Sequence, residues 1–392
     1  MSFTNNIKKE YFLFIVILLA HSLFTIFLHN SIDPVHYIPQ NFFVLELIEK
    51  RMIIPFEILF LLDMGNMVIL WLIGKKVFHS KFSLIPPLVY AISPWSSYLV
   101  SGGSFYVYLS FLVLVMSYGL FLIKGEKRST GLILLGSTAV VALYSSFLMM
   151  VIIPIIFLSL IISKIYALNI FKNAILILVI SMVPLLLLIA VYQMGFKNII
   201  SNEIQIFSDP GLINMVNKYQ GDARQEGFGR YAKLAENRYI FYLEFILLKI
   251  SKQFAPSTFF TSQEKLLRFS FTAPIFFGFL MPFFYGFYKV FKSSYLRNVL
   301  FISGILVIPS VLSKYIVDLN RLAIFIPVLI FIISFGLSEI FKQKRKNRVY
   351  LFVILSIILV LFQLTITVSD INFREKPRFV KYYGENYEIG KQ

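Results

Sequence analysis

Ionisable residues inside long apolar stretches are the first candidates for chemistry in this sequence. Glu57 and Asp63 lie six residues apart in the apolar stretch 53–73, a separation that turns a helix about 240° past a full turn. The two carboxylates therefore face different directions, which does not favour a paired general acid and base. Ionisable groups within a membrane span are costly and are usually functional. Asp63 is a proton or substrate site or, as we favour, a polar packing contact, whereas Glu57 lies near the outer end and could face an external cavity.

A second candidate for chemistry lies where the apolar stretch 320–341 begins, at Asp318, Asn320 and Arg321. Arginine binds phosphate through two parallel hydrogen bonds, so Arg321 is a candidate phosphate ligand. An anchor at the membrane interface is the alternative.

Other common catalytic patterns are missing from the sequence. The four histidines have no spacing typical of a zinc site, no nucleophile motif of the GxSxG type occurs, and no glycine-rich nucleotide loop is present. The chain has no cysteine, which excludes disulfides and a thiolate nucleophile. No metal ligands are predicted, and an ATP-driven pump is not favoured.

The composition indicates which elements must position these residues. The chain has 392 residues, of which 58% are apolar and 15% charged, whereas soluble domains contain about 45–50% apolar and about 25% charged residues. We therefore predict an all-α, polytopic integral membrane protein. A span needs about 20 apolar residues, and eleven windows meet this length, with residues 129–163 divided at 143–146: 11–29, 53–73, 83–100, 105–123, 129–144, 146–163, 172–193, 272–291, 297–313, 320–341 and 349–368.

The distribution of charge predicts the orientation. When the loops are placed alternately on two sides, one side carries 18 basic and 2 acidic residues, so it holds +16 of the net charge of +17. The positive-inside rule makes that side cytoplasmic. The N-terminus is then inside, on an uncleaved first span, and the large loop and C-terminal tail are external. Because the basic excess is an orientation signal, no nucleic-acid partner is predicted.

This topology divides the chain into four parts. Residues 1–193 form an N-terminal transmembrane module of about seven spans, with a first external loop at 30–52. Residues 194–271 form a large external loop, 272–368 a C-terminal module of about four spans, and 369–392 an external tail. Within the large loop, 239–254 is predicted to be a helix lying in the membrane interface. The glycine-rich stretch 222–230 is either a flexible lid or a solvated loop.

Several stretches, in order along the chain, resemble one family. They are Ile73-Gly-Lys-Lys-Val-Phe78, Ile92-Ser-Pro-Trp95, Arg224-Gln-Glu-Gly-Phe228, Phe254-Ala-Pro-Ser-Thr-Phe-Phe260, Arg268, Pro282-Phe-Phe-Tyr-Gly-Phe-Tyr288, Asn320-Arg-Leu-Ala323 and Tyr383-Gly-Glu-Asn386. Together they resemble the bacterial GT-C class, the multi-pass glycosyltransferases that include protein O-mannosyltransferases and the aminoarabinose transferase of lipid A.

The resemblance implies a GT-C-like fold in the bacterial inner membrane and an inverting sugar transfer at its outer face. The donor would be a polyprenyl-phosphate sugar, and the acceptor a lipid, a glycan or a protein. The resemblance assigns Asp33 in the first external loop as general base, and Arg224, Arg268 and Arg321 as ligands of the donor phosphate. His36 and Glu57 are further candidates. A divalent cation is possible, because some members of the family use one.

Two alternatives stay open, because the sequence departs from the family pattern. Asp33 has no adjacent acid, and Phe269 stands where a histidine commonly follows the arginine. One alternative is a catalytically inactive GT-C-like membrane subunit. The other is an O-antigen polymerase or a flippase for lipid-linked glycans.

Overall fold

The predicted spans are helical in a computed structural model of the protein. The structure describes residues 2–31, 43, 54–78, 82–125, 127–163, 168–207, 210–225, 238–261, 273–313, 315–342 and 346–369. Helix accounts for 89% of the described residues, and these contain no strand. The all-α fold class is therefore confirmed.

In the N-terminal module, each predicted span coincides with one helix or with a broken pair. The helices are α1 (Ser2–Ser31), α2 (Phe56–Val77), α3 (Ile85–Ile92), α4 (Pro94–Ser101), α5 (Tyr106–Lys124), α6 (Arg128–Ser145), α7 (Phe147–Ile162) and α8 (Leu168–Val191). The predicted span 83–100 is interrupted at Ser93, whose ψ of 120° is extended. Pro94 explains the interruption, because proline disfavours the helical conformation in the residue before it.

The large loop and the C-terminal module are also helical. The loop contains α9 (Gln193–Glu203), a 3₁₀ turn (Gln205–Phe207), α10 (Pro210–Gln225), α11 (Arg238–Phe254) and α12 (Pro256–Phe260). The C-terminal module contains a 3₁₀ turn (Phe277–Phe279), α13 (Leu280–Lys292), α14 (Ser294–Ser303), a 3₁₀ turn (Gly304–Val307), α15 (Ile308–Val311), a 3₁₀ helix (Arg321–Phe325), α16 (Ile326–Phe341) and α17 (Lys346–Ser369). The predicted helix at 239–254 is confirmed as α11. Residues 222–225 of the predicted lid are the last turn of α10, and 226–230 lie outside the described residues.

Five helical segments in the described part of the chain are long and apolar enough to cross a membrane. They are Lys9–Asn30, Phe56–Val77, Tyr106–Lys124, Ser294–Val311 and Arg321–Phe341. A sixth is possible if Ile175–Val191 and Gly195–Ser201, which meet at a bend of 102°, form one span. Large apolar side chains such as Leu61, Ile133 and Leu158 are exposed, as expected for surfaces in contact with lipid. The count of about eleven spans stays a prediction.

Helices α13 and α16 cross at two glycines. A Cβ atom added to Gly286 would collide with the carbonyl oxygen of Ile332, and one added to Gly336 would collide with that of Pro282. Small residues allow such close backbone contact between membrane helices. Both glycines are therefore required by the crossing itself.

Charged contacts gather at one end of the bundle. Lys75 Nζ lies 3.8 Å from Glu10 Oε1 and 3.6 Å from the centre of the Trp71 ring. At the same end of α16, Glu339 contacts Lys289 at 3.8 Å and Lys342 at 2.6 Å. The helix ends that the charge distribution assigns to one side thus pair with one another, α1 with α2 and α13 with α16.

Candidate functional site

Arg321 is the centre of a buried polar cluster at the opposite end of the bundle. Its side chain is 3% exposed. Nη1 donates to the carbonyl oxygen of Glu203 at 2.6 Å and lies 3.5 Å from Glu203 Oε2, while Nε lies 3.4 Å from Asp318 Oδ2. The guanidinium group is therefore already held by two carboxylates and a carbonyl oxygen.

The chain around Asp318 is shaped by local side-chain hydrogen bonds. Ser310 Oγ accepts from the backbone N–H of Asp318 and donates to its carbonyl oxygen, both at 3.0 Å. Asp318 Oδ1 accepts from the backbone N–H of Arg321 at 3.2 Å. Short polar side chains favour turns of this kind over helix, which explains why the helix stops at α15 and restarts at Arg321.

Burial raises the pKa of the Asp318 carboxyl above its usual value, and the positive charge of Arg321 only partly opposes the rise. Desolvation disfavours the charged form of an acid, whereas a nearby cation favours it. The Asp318 carboxyl therefore takes up a proton at a higher pH than an exposed aspartate does.

Lys249 brings α11 onto the same cluster. Its side chain is fully buried, and Nζ donates to the carbonyl oxygens of Val311, at 3.2 Å, and of Ser313. One turn further along α11, Gln253 Nε2 donates to the carbonyl oxygen of Ile316 at 3.0 Å. Polar side chains of α11 thereby satisfy carbonyl groups at the end of α15 and in the turn that follows it.

Helix α11 has three faces of different chemistry. The buried face carries Tyr242, Lys249 and Gln253, and a second, exposed face is polar, with Glu244, Ser251 and Lys252. The third face is apolar and exposed, with Tyr239, Leu243, Leu247, Ile250 and Phe254. A helix with adjacent apolar and polar exposed faces suits the boundary between acyl chains and headgroups.

A second polar cluster lies within the N-terminal module, around Asp63. This carboxyl is fully buried; Oδ2 lies 2.7 Å from His21 Nε2, and Oδ1 accepts from the Tyr90 hydroxyl at 2.5 Å. Asn66 Nδ2 donates to the same hydroxyl at 3.2 Å. Residues of α1, α2 and α3 thus meet in one network, directly beside the interruption at Ser93.

The imidazole of His21 lies between two oxygen atoms. Nδ1 is 3.2 Å from the carbonyl oxygen of Ala91, and Nε2 is 2.7 Å from Asp63 Oδ2. Both ring nitrogens therefore have a hydrogen-bond partner inside the bundle.

The carboxylates predicted as candidates have different positions. Glu57 lies in the first turn of α2 and is exposed, whereas Asp63 is buried, so the prediction that they do not share a face is confirmed. The contacts of Asp63 with two other helices agree with the packing interpretation. Asp33 and His36 lie outside the described residues.

Only one of the three predicted phosphate ligands has a described side chain. Arg224 belongs to the last turn of α10, and its side chain is not among those described; Arg268 lies outside the described residues. Arg321 is described, but a donor phosphate would have to displace Glu203 and Asp318 to reach its guanidinium group. The geometry therefore favours a structural role for Arg321 over the predicted phosphate contact.

Sequence reasoning missed the partners that complete both clusters, His21, Tyr90, Lys249 and Glu203. The sequence offered two signals. One is His21 in the middle of an apolar stretch, and the other is Lys249 on the side of its helix opposite to an apolar face. Neither signal names the partner, because the contacts span 27 to 118 residues.

No group of three His, Asp or Glu side chains in the described part of the chain is arranged to hold a metal ion. Comparison with known proteins finds no matching family model and no matching curated protein.

Proposed function

We propose that this protein is a membrane glycosyltransferase that moves a sugar from a polyprenyl-phosphate donor to a lipid, glycan or protein acceptor. The observation that carries the proposal is the placement of α11. It presents an apolar face and a polar face outward while Lys249 and Gln253 fix it to the end of the bundle. This arrangement holds the large loop at headgroup level, where the phosphate and sugar of a lipid-linked donor lie.

The proposed orientation places the basic end in the cytoplasm and α11 on the external side of a bacterial inner membrane. The pairing of Glu10 with Lys75 and of Glu339 with Lys289 and Lys342 supports a common side for these helix ends. The positive-inside rule then makes that side cytoplasmic. Cysteine accessibility tests the orientation directly, since the natural chain has no cysteine: Ser251→Cys on the polar face of α11 should react with an impermeant maleimide in intact cells.

In the proposed reaction, Asp33 accepts the proton of the acceptor hydroxyl as its oxygen attacks the anomeric carbon. The bond between that carbon and the phosphate oxygen breaks, and polyprenyl phosphate leaves with the bonding electrons. Positive charge near the leaving phosphate stabilises it, and we assign this role to Arg224 and Arg268. Arg321 is reassigned to holding the external segments in place.

The test is sugar transfer from labelled polyprenyl-phosphate hexose or pentose by the purified protein in lipid nanodiscs, measured as release of polyprenyl phosphate. Asp33→Asn should lower the rate by about 100-fold or more, the usual size of a general-base contribution. Glu244→Gln, an exposed carboxylate on α11, is the matched control and should keep full activity. Full activity of Asp33→Asn would remove Asp33 from the mechanism, and donor binding without turnover by the natural chain would favour the inactive subunit.

A second candidate is a flippase for lipid-linked glycans, and one observation favours it. The interrupted pair α3–α4 lies beside the buried His21–Asp63 pair, and interrupted helices next to intramembrane ionisable groups are typical of transporters. In proteoliposomes, a flippase would move an intact lipid-linked glycan across the bilayer without releasing polyprenyl phosphate. A transferase would release polyprenyl phosphate without moving the intact lipid-linked glycan across the bilayer.

A further inference from the structure

A cavity of about 220 Å³ lies between α5, α7, α14 and α16. Its walls are almost entirely apolar, formed by side chains such as Val113, Phe157, Val299 and Phe331. An apolar cavity does not hold water, because water there would lack hydrogen-bond partners. The chemistry of the walls therefore suits a hydrocarbon chain.

Helix α14 forms one wall of this cavity and is only partly covered by other helices. None of its ten residues is buried, although it belongs to a segment apolar enough to span a membrane. The cavity follows α14 and the turn after it from Tyr295 to Leu306, which is roughly 16 Å at 1.5 Å per residue. The lining of the cavity thus extends along the helix axis, the direction in which an acyl chain lies in a bilayer.

Cations lie near Tyr295, a residue that lines one end of the cavity. Lys124 Nζ is 3.7 Å from the centre of the Tyr295 ring, Lys292 ends α13, and Arg297 is exposed on the first turns of α14. Lys289 and Lys342, at the same end of the bundle, share the carboxylate of Glu339. For Lys124, Lys292 and Arg297, by contrast, the described residues include no carboxylate partner within 4.0 Å.

We propose that the cavity binds one acyl chain of an anionic phospholipid, whose phosphate is held by Lys124, Lys292 and Arg297. The apolar walls supply hydrophobic affinity for the chain, and the cations, which have no carboxylate partner among the described residues, supply selectivity for a charged headgroup over a zwitterionic one. The site lies at the basic end, opposite to the Arg321 cluster, and does not depend on the proposed sugar transfer. Its role is to fill the cavity between α14 and the facing helices α5, α7 and α16.

Native mass spectrometry tests the proposal on the full-length protein. The protein is reconstituted in vesicles of equal parts phosphatidylglycerol and phosphatidylcholine, extracted in a mild detergent and washed to remove loosely held lipid. We expect one phosphatidylglycerol per chain to survive the wash, with retention at least tenfold above that of phosphatidylcholine. Equal retention of the two lipids, or retention of neither, would overturn the proposal.

Two kinds of variant separate the chain site from the headgroup site. Ser303→Trp, or the smaller change Val299→Phe, fills the cavity and should abolish retention of both lipids. The triple variant Lys124→Gln, Lys292→Gln, Arg297→Gln should lose the preference for phosphatidylglycerol but not the cavity. The matched control removes three exposed cations elsewhere, Lys197→Gln, Lys218→Gln and Lys252→Gln, and should keep the preference.

Other occupants have distinct outcomes in the same experiment. Polyprenyl phosphate is added in competition, and its displacement of phosphatidylglycerol from the natural chain would assign the cavity to the donor and overturn the proposal. An unchanged preference of the triple variant for phosphatidylglycerol would show that Lys124, Lys292 and Arg297 do not bind the phosphate, and would also overturn the proposal. Helix content by circular dichroism and elution as a single species establish that each variant is folded. If Ser303→Trp does not fold, lipid retention by Val299→Phe tests the cavity instead.

Discussion

Arg321 Nη1 donates to the carbonyl oxygen of Glu203 at 2.6 Å, across 118 residues of sequence. Glu203 ends α9 at the start of the large loop, and Arg321 opens the helical segment that leads into α16. The contact therefore joins the start of the large loop to the C-terminal module. Asp318 Oδ2 contacts the same guanidinium group at Nε, 3.4 Å away.

Replacing Arg321 by glutamine should destabilise the protein by about 3–5 kcal/mol, because two carboxylates would stay buried without their cation. The midpoint of thermal unfolding in detergent, followed by the fluorescence of Trp71 and Trp95, measures the effect. The double variant with Glu203→Gln should lose less than the sum of the single losses, since each single change removes the same ion pair. Lys197→Gln, an exposed cation, is the control. A normal melting temperature for Arg321→Gln with a raised KM for the donor would instead return Arg321 to phosphate binding.

The raised pKa of Asp318 predicts a pH dependence of stability. The native state binds the proton of this carboxyl more tightly than the unfolded state does, so its contribution to stability is greatest at low pH and is lost as pH rises through the native pKa. Comparison with Asp318→Asn isolates the group. The melting temperature of the natural chain, minus that of the variant, should rise as the pH falls from 7 towards about 4, the ordinary pKa of aspartate. A difference that stays constant over this range would mean that Asp318 does not titrate there.

The His21–Asp63 pair predicts different outcomes for two replacements of Asp63. Asparagine can accept from Tyr90 through its oxygen and donate to His21 through its amide, so Asp63→Asn should change the free energy of unfolding by less than about 1 kcal/mol. Alanine leaves both partners buried without a hydrogen bond and should cost about 3 kcal/mol. If the pair also serves transport, Asp63→Asn should stop glycan movement in proteoliposomes while the protein stays folded. Equal melting temperatures for the two variants would contradict the hydrogen-bond network.

The sequence predicts much of the helical framework, because apolar runs and prolines act locally. The split of 129–163 at 143–146 agrees with the break between α6 and α7 at Ser146, and the predicted helix at 239–254 is α11. The partners of Asp63 and Arg321 depend instead on how distant helices pack. The buried face of α11 shows the difference. Its helical period is visible in the sequence, but only the carbonyl oxygens of Val311 and Ser313 explain why Lys249 points inward.

The crossing of α13 and α16 predicts that neither of its glycines tolerates a methyl group. Gly286→Ala and Gly336→Ala each place a Cβ against a carbonyl oxygen of the facing helix, so the helices must move apart, at a cost of about 1–3 kcal/mol or more. Gly221→Ala is the matched control, because no atom lies within 4 Å of the added Cβ, and alanine is the better helix former by about 1 kcal/mol. The melting temperature should therefore fall for both variants at the crossing and stay equal or rise for Gly221→Ala. A fall confined to Gly221→Ala, or no fall in any variant, would show that α13 and α16 do not approach as closely as the two glycines allow.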